Sequence, residues 1–413
     1  MPVPHRAPAE VHQQQSWRSA LMRLGPGIVT GASDVDPALV LTATVVGAAY
    51  HYSLLWVVIL CVPFLVTVFA VSARLGYETR QGLVDLLRSN YGRGVALACA
   101  GLVIVINMAM IIADLMAVSD AFSIITGQHR AFFIAATAFS IWYILIFHNY
   151  RKITKVLLWL SIPLFIYVVA AIVTAPPHSL MMKTFLPRMG KDPGYVAAIV
   201  ALFGSLLTPY VLLWQTSSRR EHAAIGVEHP TDAESHMGTF VVTLLSFSVM
   251  VSSASVLHLT HPVEMTTREA AEALRPVVGN LGQALFALGI IGAGTVALPV
   301  LVASMCYSVS EAMGWKSGLS EHPWEAKGFY VLISAAMLFA SAVNFVRINP
   351  VTALYWSQIV AGALTPPILL FIMILSNDRR VIRTTNTKWQ NFWLGACAGG
   401  LLAAELAWLW WSL

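Results

Sequence analysis

Residues 25–50 read GPGIVTGASDVDPALVLTATVVGAAY. The stretch is long and apolar enough to cross a bilayer, yet Asp34, Asp36 and Pro37 stand at its middle. A carboxylate at the centre of a membrane helix costs about 2.5–3.5 kcal/mol on insertion scales. A proline in a helix interior costs roughly 3 kcal/mol relative to alanine and removes a backbone donor. Both together predict a helix broken at mid-membrane. Such a break leaves carbonyl oxygens without helical partners beside a carboxylate, which is the chemistry of a cation site. The plainer alternative is a kinked helix whose two acids bond to neighbouring helices. It leaves two acids at the kink without a counter-charge.

The whole chain agrees with a membrane setting. Of 413 residues, 57% are hydrophobic and only 11% charged, and the mean hydropathy is +0.71. Soluble domains carry roughly twice that charge, so the chain is read as a polytopic membrane protein. Cys61, Cys99, Cys306 and Cys397 are scattered singly, with neither metal-type spacing nor a disulfide framework. The formal charge of +5 is read as basic cytoplasmic loops, because no basic run interleaved with aromatics points to nucleic acid. Residues 1–19 are polar and lack the apolar core of a cleavable signal, and are expected to form a short cytoplasmic tail.

Working outward, apolar segments fall near 25–50, 53–73, 94–122, 132–148, 153–175, 195–217, 236–259, 279–312, 327–346, 350–376 and 391–412. That predicts eleven spans in one transmembrane domain over 20–413. A cytoplasmic N-terminus puts most of the 25 Lys and Arg inside and the C-terminus outside. Arg74–Arg93 and Arg379–Lys388 are the clearest cytoplasmic loops. Trp408, Trp410 and Trp411 read as an interfacial belt.

The sixth segment supplies a partner for the broken first one. In AAIVALFGSLLTPYVLLWQTSS, Gly204, Ser205 and Thr208 precede Pro209, as Gly31, Ser33 and Asp36 precede Pro37. Two five-helix sets with discontinuous first members are the pattern of inverted-repeat transporters, with substrate held between the breaks. The repeats are expected at about 20–175 and 195–376, with an additional helix at 391–412. The tenth segment adds Gln358, about two turns before Pro366 and Pro367. Its amide is read either as a ligand or as an interhelical hydrogen bond. The third segment carries Asn107, Asp114 and Asp120, and Asp114 is deep enough either to line an aqueous route or to pair with a neighbouring helix. Glu311 ends the eighth segment and is read as a structural partner for a basic loop residue. None of the twelve histidines sits mid-span beside the broken segments. No nucleophile–base pair or phosphate-cradling loop supports an enzyme, and no cofactor is expected.

On these residues the chain resembles the Nramp family of divalent-metal transporters. GPGIVTGASDVDPALV resembles the family's first-helix Asp-Pro motif. SARLGYETRQGLVDLLRSNYG resembles the loop after its second helix, and NYRKITKV the basic turn before its fifth. LTPYVLLWQTS, GTVALPVLVASMCYSVSEAMGW and INPVTALYWSQIVAGALTPP look closer to the Nramp-related magnesium-transporter branch than to the mainstream proton-coupled one. The resemblance implies an all-α, LeuT-type fold of 5+5 helices plus an eleventh, working by alternating access around a central ion. It implies a metal site at Asp36, with Thr208 where mainstream members have a methionine, Ser205 offering a backbone carbonyl, and Gln358 at the tenth-helix glutamine position. Asp34 is a candidate second carboxylate, reaching the ion directly or through water.

The departures from the mainstream pattern have physical consequences. Thr208 replaces a soft sulfur by oxygen, which opens the site to hard ions. Leu39 stands where an asparagine ligand is expected. Fewer protein oxygens suit an ion that keeps its water, as Mg²⁺ does. Tyr210 replaces a histidine, Ala117 a glutamate paired with Asp114, and the ninth segment has no mid-span arginine, only Arg347 at its end. Those losses remove most of the network that could couple protons to metal. The expectation is therefore an integral membrane transporter of Mg²⁺ or Mn²⁺, in a bacterial cytoplasmic membrane, without obligatory proton coupling. The alternatives are a proton-coupled Mn²⁺/Fe²⁺ importer and a Na⁺-coupled solute carrier. Oligomeric state is not legible.

Overall fold

The computed structural model describes residues 35–147, 162–174, 192–224, 232–257, 262–319, 321–345 and 348–412. Among them there is no strand. The helices are α1 (Pro37–Tyr50), α2 (Leu55–Thr79), α3 (Leu83–Tyr91), α4 (Arg93–Thr126), α5 (Ala131–Phe147), α6 (Ile166–Val173), α7 (Pro193–Leu206), α8 (Pro209–Ala224), α9 (Asp232–Val256), α10 (Gly282–Met313), α11 (Lys327–Val343), α12 (Pro350–Asn377) and α13 (Lys388–Ser412). Short helical turns between Pro262 and Leu281 link α9 to α10. The expected tail at 1–19, the start of the first span at 25–34 and the first half of the fifth lie outside the described residues.

Among the described residues, seven helical stretches are long and apolar enough to cross a membrane, the pair α7–α8 counting as one, and α1, α5 and α11 are shorter apolar helices. Several run past the apolar segments read from sequence. α2 continues through Arg74 and Glu78 to Thr79, and α4 extends to Thr126 before Gly127 closes it with φ 71°. A helix does not stop where its side chains become polar; it stops where a residue can adopt the left-handed cap. At 34 residues and 1.5 Å per residue, α4 is about 51 Å long, well beyond a bilayer's hydrocarbon core.

Burial sorts the helices into centre and rim. The most apolar window of α7–α8 is 100% buried, and that of α13 only 22%. The rim exposes large apolar side chains, such as Phe132 and Phe139 on α5, Leu338 on α11 and Leu406 and Trp410 on α13. Exposed apolar residues on this scale belong against lipid rather than water.

The two loops assigned to the cytoplasm meet in space. Arg74 donates to Asn386, and to Gln390 Oε1 at 3.4 Å. Glu78 Oε2 accepts from the Arg383 and Thr384 amides at 3.2 Å each. The intervening α3 is amphipathic: Leu83, Val84, Leu86 and Leu87 are buried, while Arg88 pairs with Asp85 at 2.8 Å toward the surface.

Candidate metal site at two helix breaks

Of the interruption expected in the first span, the described residues show the second side: a helix that starts at Pro37, with residues 25–34 outside them. Asp36 is extended (φ −89°, ψ 169°) and N-caps α1, and Pro37 is the first helical residue. Proline at that position loses nothing, because the first amides of a helix have no helical acceptor. The acid and the proline, costly inside a helix, become a cap and a start signal once the helix begins between them. The Leu39 amide donates to Asp36 Oδ1 at 2.6 Å. Leu39 thus contributes its backbone to the carboxylate, while its side chain is buried.

In the sixth span both sides of the interruption are described. α7 ends at Leu206, Leu207 leaves helical geometry (φ −106°, ψ 55°), and α8 starts at Pro209. The residue four after Ser205 is Pro209, which has no N–H to give to the Ser205 carbonyl. The Ser205 hydroxyl points back along the helix, donating to Leu202 O at 3.0 Å. Thr208 is buried in the gap, and its carbonyl accepts from the Val211 amide at 3.2 Å.

The breaks meet. The Tyr210 hydroxyl, in the first turn of α8, donates to Asp36 Oδ2 at 3.3 Å, and both residues are fully buried. Tyr210 entered the sequence reading only as a lost histidine. Its place next to the break's proline was the available signal that it faces the carboxylate. An ionised carboxylate offers about four acceptor positions. Leu39 and Tyr210 occupy one on each oxygen, leaving room for a cation or its water.

α12 closes the site from another side. Gly204 lies so close to α12 that a Cβ there would overlap the Gln358 carbonyl oxygen and sit 2.7 Å from the Gly362 nitrogen. A Cβ on Gly362 would in turn lie 2.5 Å from Val200 O. Two facing glycines therefore let the α7 and α12 backbones touch one residue from Ser205. The Gln358 side chain is fully buried, and its Nε2 and Oε1 have no hydrogen-bond partner among the described residues. A buried amide with both ends unmatched is expected where a ligand, ion or water passes. Asp34 lies outside the described residues.

The donor set is hard: carboxylate, hydroxyl, amide and carbonyl oxygen. Among the described residues, no three His, Cys, Asp or Glu side chains cluster as a metal cage. The candidate site is one carboxylate among neutral oxygens, which suits an oxygen-seeking cation that retains water.

At the end of the bundle where α2 and α3 join, the sequence predicts a basic loop residue as the partner of Glu311. Its partners include the Ser217 hydroxyl, donating to Oε1 at 2.9 Å, and the Asp85 amide, donating to Oε2 at 3.3 Å. A Cβ on Gly82 would overlap the Glu311 carboxylate, which would have to move aside. The Leu83 amide donates to Thr216 Oγ1 at 3.3 Å. A Cβ on Gly76 would lie 2.6 Å from the Thr216 Cα. The far end of the broken sixth span is thereby tied to α2, α3 and α10.

Comparison with known proteins follows the same lines. The family model described as "Natural resistance-associated macrophage protein-like" (Nramp) matches residues 27–411. A divalent metal cation transporter MntH of Deinococcus radiodurans is 23% identical over 414 residues, covering 96% of this chain and 91% of that protein. Metal transporter Nramp6.1 of Populus trichocarpa is 25% identical over 316 residues, 71% of this chain and 56% of that protein. The chain thus spans little more than half of some relatives it matches. Among solved structures, the Eremococcus coleocola manganese transporter superposes with a TM-score of 0.73 at 16% identity, covering 98% of this chain and 88% of that one. MhsT in complex with L-phenylalanine, a LeuT-fold transporter, superposes with a TM-score of 0.58 at 14% identity, covering 95% and 98%. The fold is therefore the all-helical LeuT type, and with a family model matching nearly its whole length, the chain belongs to the Nramp family.

Proposed function

We propose that this chain carries a divalent metal ion, Mg²⁺ or Mn²⁺, across a bacterial cytoplasmic membrane by alternating access between two five-helix repeats, within the domain 20–413. The ion crosses largely hydrated and without obligatory proton movement. Relatives named as divalent metal cation transporters and a structural neighbour described as a manganese transporter support the metal as cargo. The observation that carries the finer reading is Thr208, a buried oxygen-bearing side chain in the gap that faces the Asp36 break. A sulfur there would favour Mn²⁺ and softer ions; oxygen removes that preference and admits Mg²⁺.

Asp36 supplies the charge, Thr208 and the Ser205 carbonyl supply neutral oxygens, and Gln358 supplies an amide from α12. Asp34 is a further carboxylate candidate. With so few protein ligands the ion keeps part of its water shell, the ordinary state of bound Mg²⁺. The driving force is sufficient without protons. A doubly charged ion moving inward gains about 4.6 kcal/mol at 100 mV, from about 2.3 per charge. Contact between the two basic loops supports assigning them to one side, with the N-terminus inside and the C-terminus outside.

The test is uptake into proteoliposomes under a membrane potential, run across Mg²⁺, Mn²⁺ and Ca²⁺, for the wild type and Thr208→Met. Millimolar Mg²⁺ competes with Mn²⁺ in the wild type, and Thr208→Met shifts preference toward Mn²⁺. A wild type insensitive to Mg²⁺, or a Thr208→Met protein with unmoved selectivity, overturns the hard-ion reading.

A further inference from the structure

We infer that Asp114 on α4 is a second carboxylate of the ion site, holding the divalent ion opposite Asp36 through the ion's retained water. This rests on the reading of the chain as a metal transporter and adds a residue to its site.

The geometry begins at Gly294 on α10. A Cβ there would overlap Val118 Cγ2 and lie 3.2 Å from Pro37 Cγ. The missing side chain lets α10 press against Val118 of α4 and the first residue of α1 at one point. Asp114 is one turn before Val118 on the same face of α4, and Asp36 directly precedes Pro37. The two acids therefore sit on residues that flank one contact point, Asp36 next to Pro37 and Asp114 one turn from Val118. Asp114 is 0% exposed, and neither of its carboxylate oxygens has a hydrogen-bond partner among the described residues. Asn107, two turns earlier on the same face, is in contrast fixed by donating to Leu301 O at 3.1 Å and Ser304 Oγ at 2.8 Å.

Two buried acids thus flank the point where α1, α4 and α10 meet, and no ion pair among the described residues reaches either. A buried carboxylate without partners is among the most unfavourable arrangements in a protein interior, and a second beside it adds repulsion. A dication between them removes both penalties at once. The donor arithmetic agrees: Asp36 already accepts two hydrogen bonds, whereas neither oxygen of Asp114 accepts one from the described residues. One or two carboxylates with retained water is the usual binding mode of Mg²⁺.

The experiment is equilibrium binding to the full chain in lipid nanodiscs. Bound Mn²⁺ is counted by electron paramagnetic resonance, and Mg²⁺ is read by competition. Asp114→Asn weakens both ions by ~10–100-fold, the range typical for loss of an outer-shell partner, and Asp114→Glu recovers most of that loss. If Asp114→Asn is not monodisperse, Asp114→Ser carries the same comparison. Binding by Asp114→Asn equal to wild type overturns the assignment even if uptake falls, because Asp114 then serves a proton or the packing instead. A wild type that binds neither ion overturns the metal reading itself, so the two failures are distinguishable.

Discussion

Replacing Gly204 by alanine tests whether backbone contact between α7 and α12 positions the ion site. The added Cβ would overlap the Gln358 carbonyl and sit 2.7 Å from the Gly362 nitrogen, where ordinary contact begins at 3.4 Å. The nitrogen contact alone requires α7 to withdraw by about 0.7 Å. Both obstructing atoms are backbone, so no side chain can swing away, and the penalty falls toward the upper end of the ~1–3 kcal/mol seen for overpacked cores. Ser205 is the next residue and Thr208 one turn on, so the withdrawal displaces the second break relative to Asp36. Misplacing a reacting group by 1 Å can reduce turnover ~10²-fold in enzymes, and a fall in ion uptake of ~10-fold or more is expected here. The matched control is Gly395→Ala on α13, where a Cβ meets nothing within 4 Å and the helix gains roughly 0.5–1 kcal/mol from lost glycine flexibility. Thermal melting in detergent and Mn²⁺ uptake in proteoliposomes are measured for both. Gly204→Ala indistinguishable from Gly395→Ala in melting and uptake would refute the argument.

Further outcomes follow from the same geometry. Asp36→Asn retains an N-cap residue for α1 and loses the charge, so it melts like wild type and transports nothing; Asp36→Ala also loses the cap and melts lower, by ~1 kcal/mol of stability. Uptake by Asp36→Asn near the wild-type rate would remove Asp36 from the site. Glu311→Ala strips the carboxylate from the Asp85 amide and the Ser217 hydroxyl, at about 1–3 kcal/mol for buried groups left unpaired, and amide exchange across Leu83–Tyr91 rises, read by hydrogen–deuterium mass spectrometry. Unchanged exchange there means the Glu311 cap does not hold α3. A pH-sensitive dye inside proteoliposomes registers no acidification tied to Mg²⁺ or Mn²⁺ entry; a stoichiometric proton influx favours the proton-coupled alternative.

Much of the molecule is legible in one dimension because a bilayer leaves few solutions. Backbone polar groups must pair internally, so apolar runs of sufficient length become helices, and a proline beside an acid in such a run marks an interruption. Asp36–Pro37 and Thr208–Pro209 could be named as helix breaks for that reason, and even the freed carbonyl at Ser205 follows from Pro209 four residues on. What one dimension leaves undecided is who faces whom. That Tyr210 reaches Asp36, that Gly204 and Gly362 let two backbones touch, that Glu311 caps α3, and that Asp114 has no hydrogen-bond partner among the described residues all depend on helix rotation and approach. Those are set by small side chains and packing between segments far apart in the chain, whose effect exists only once the helices are assembled.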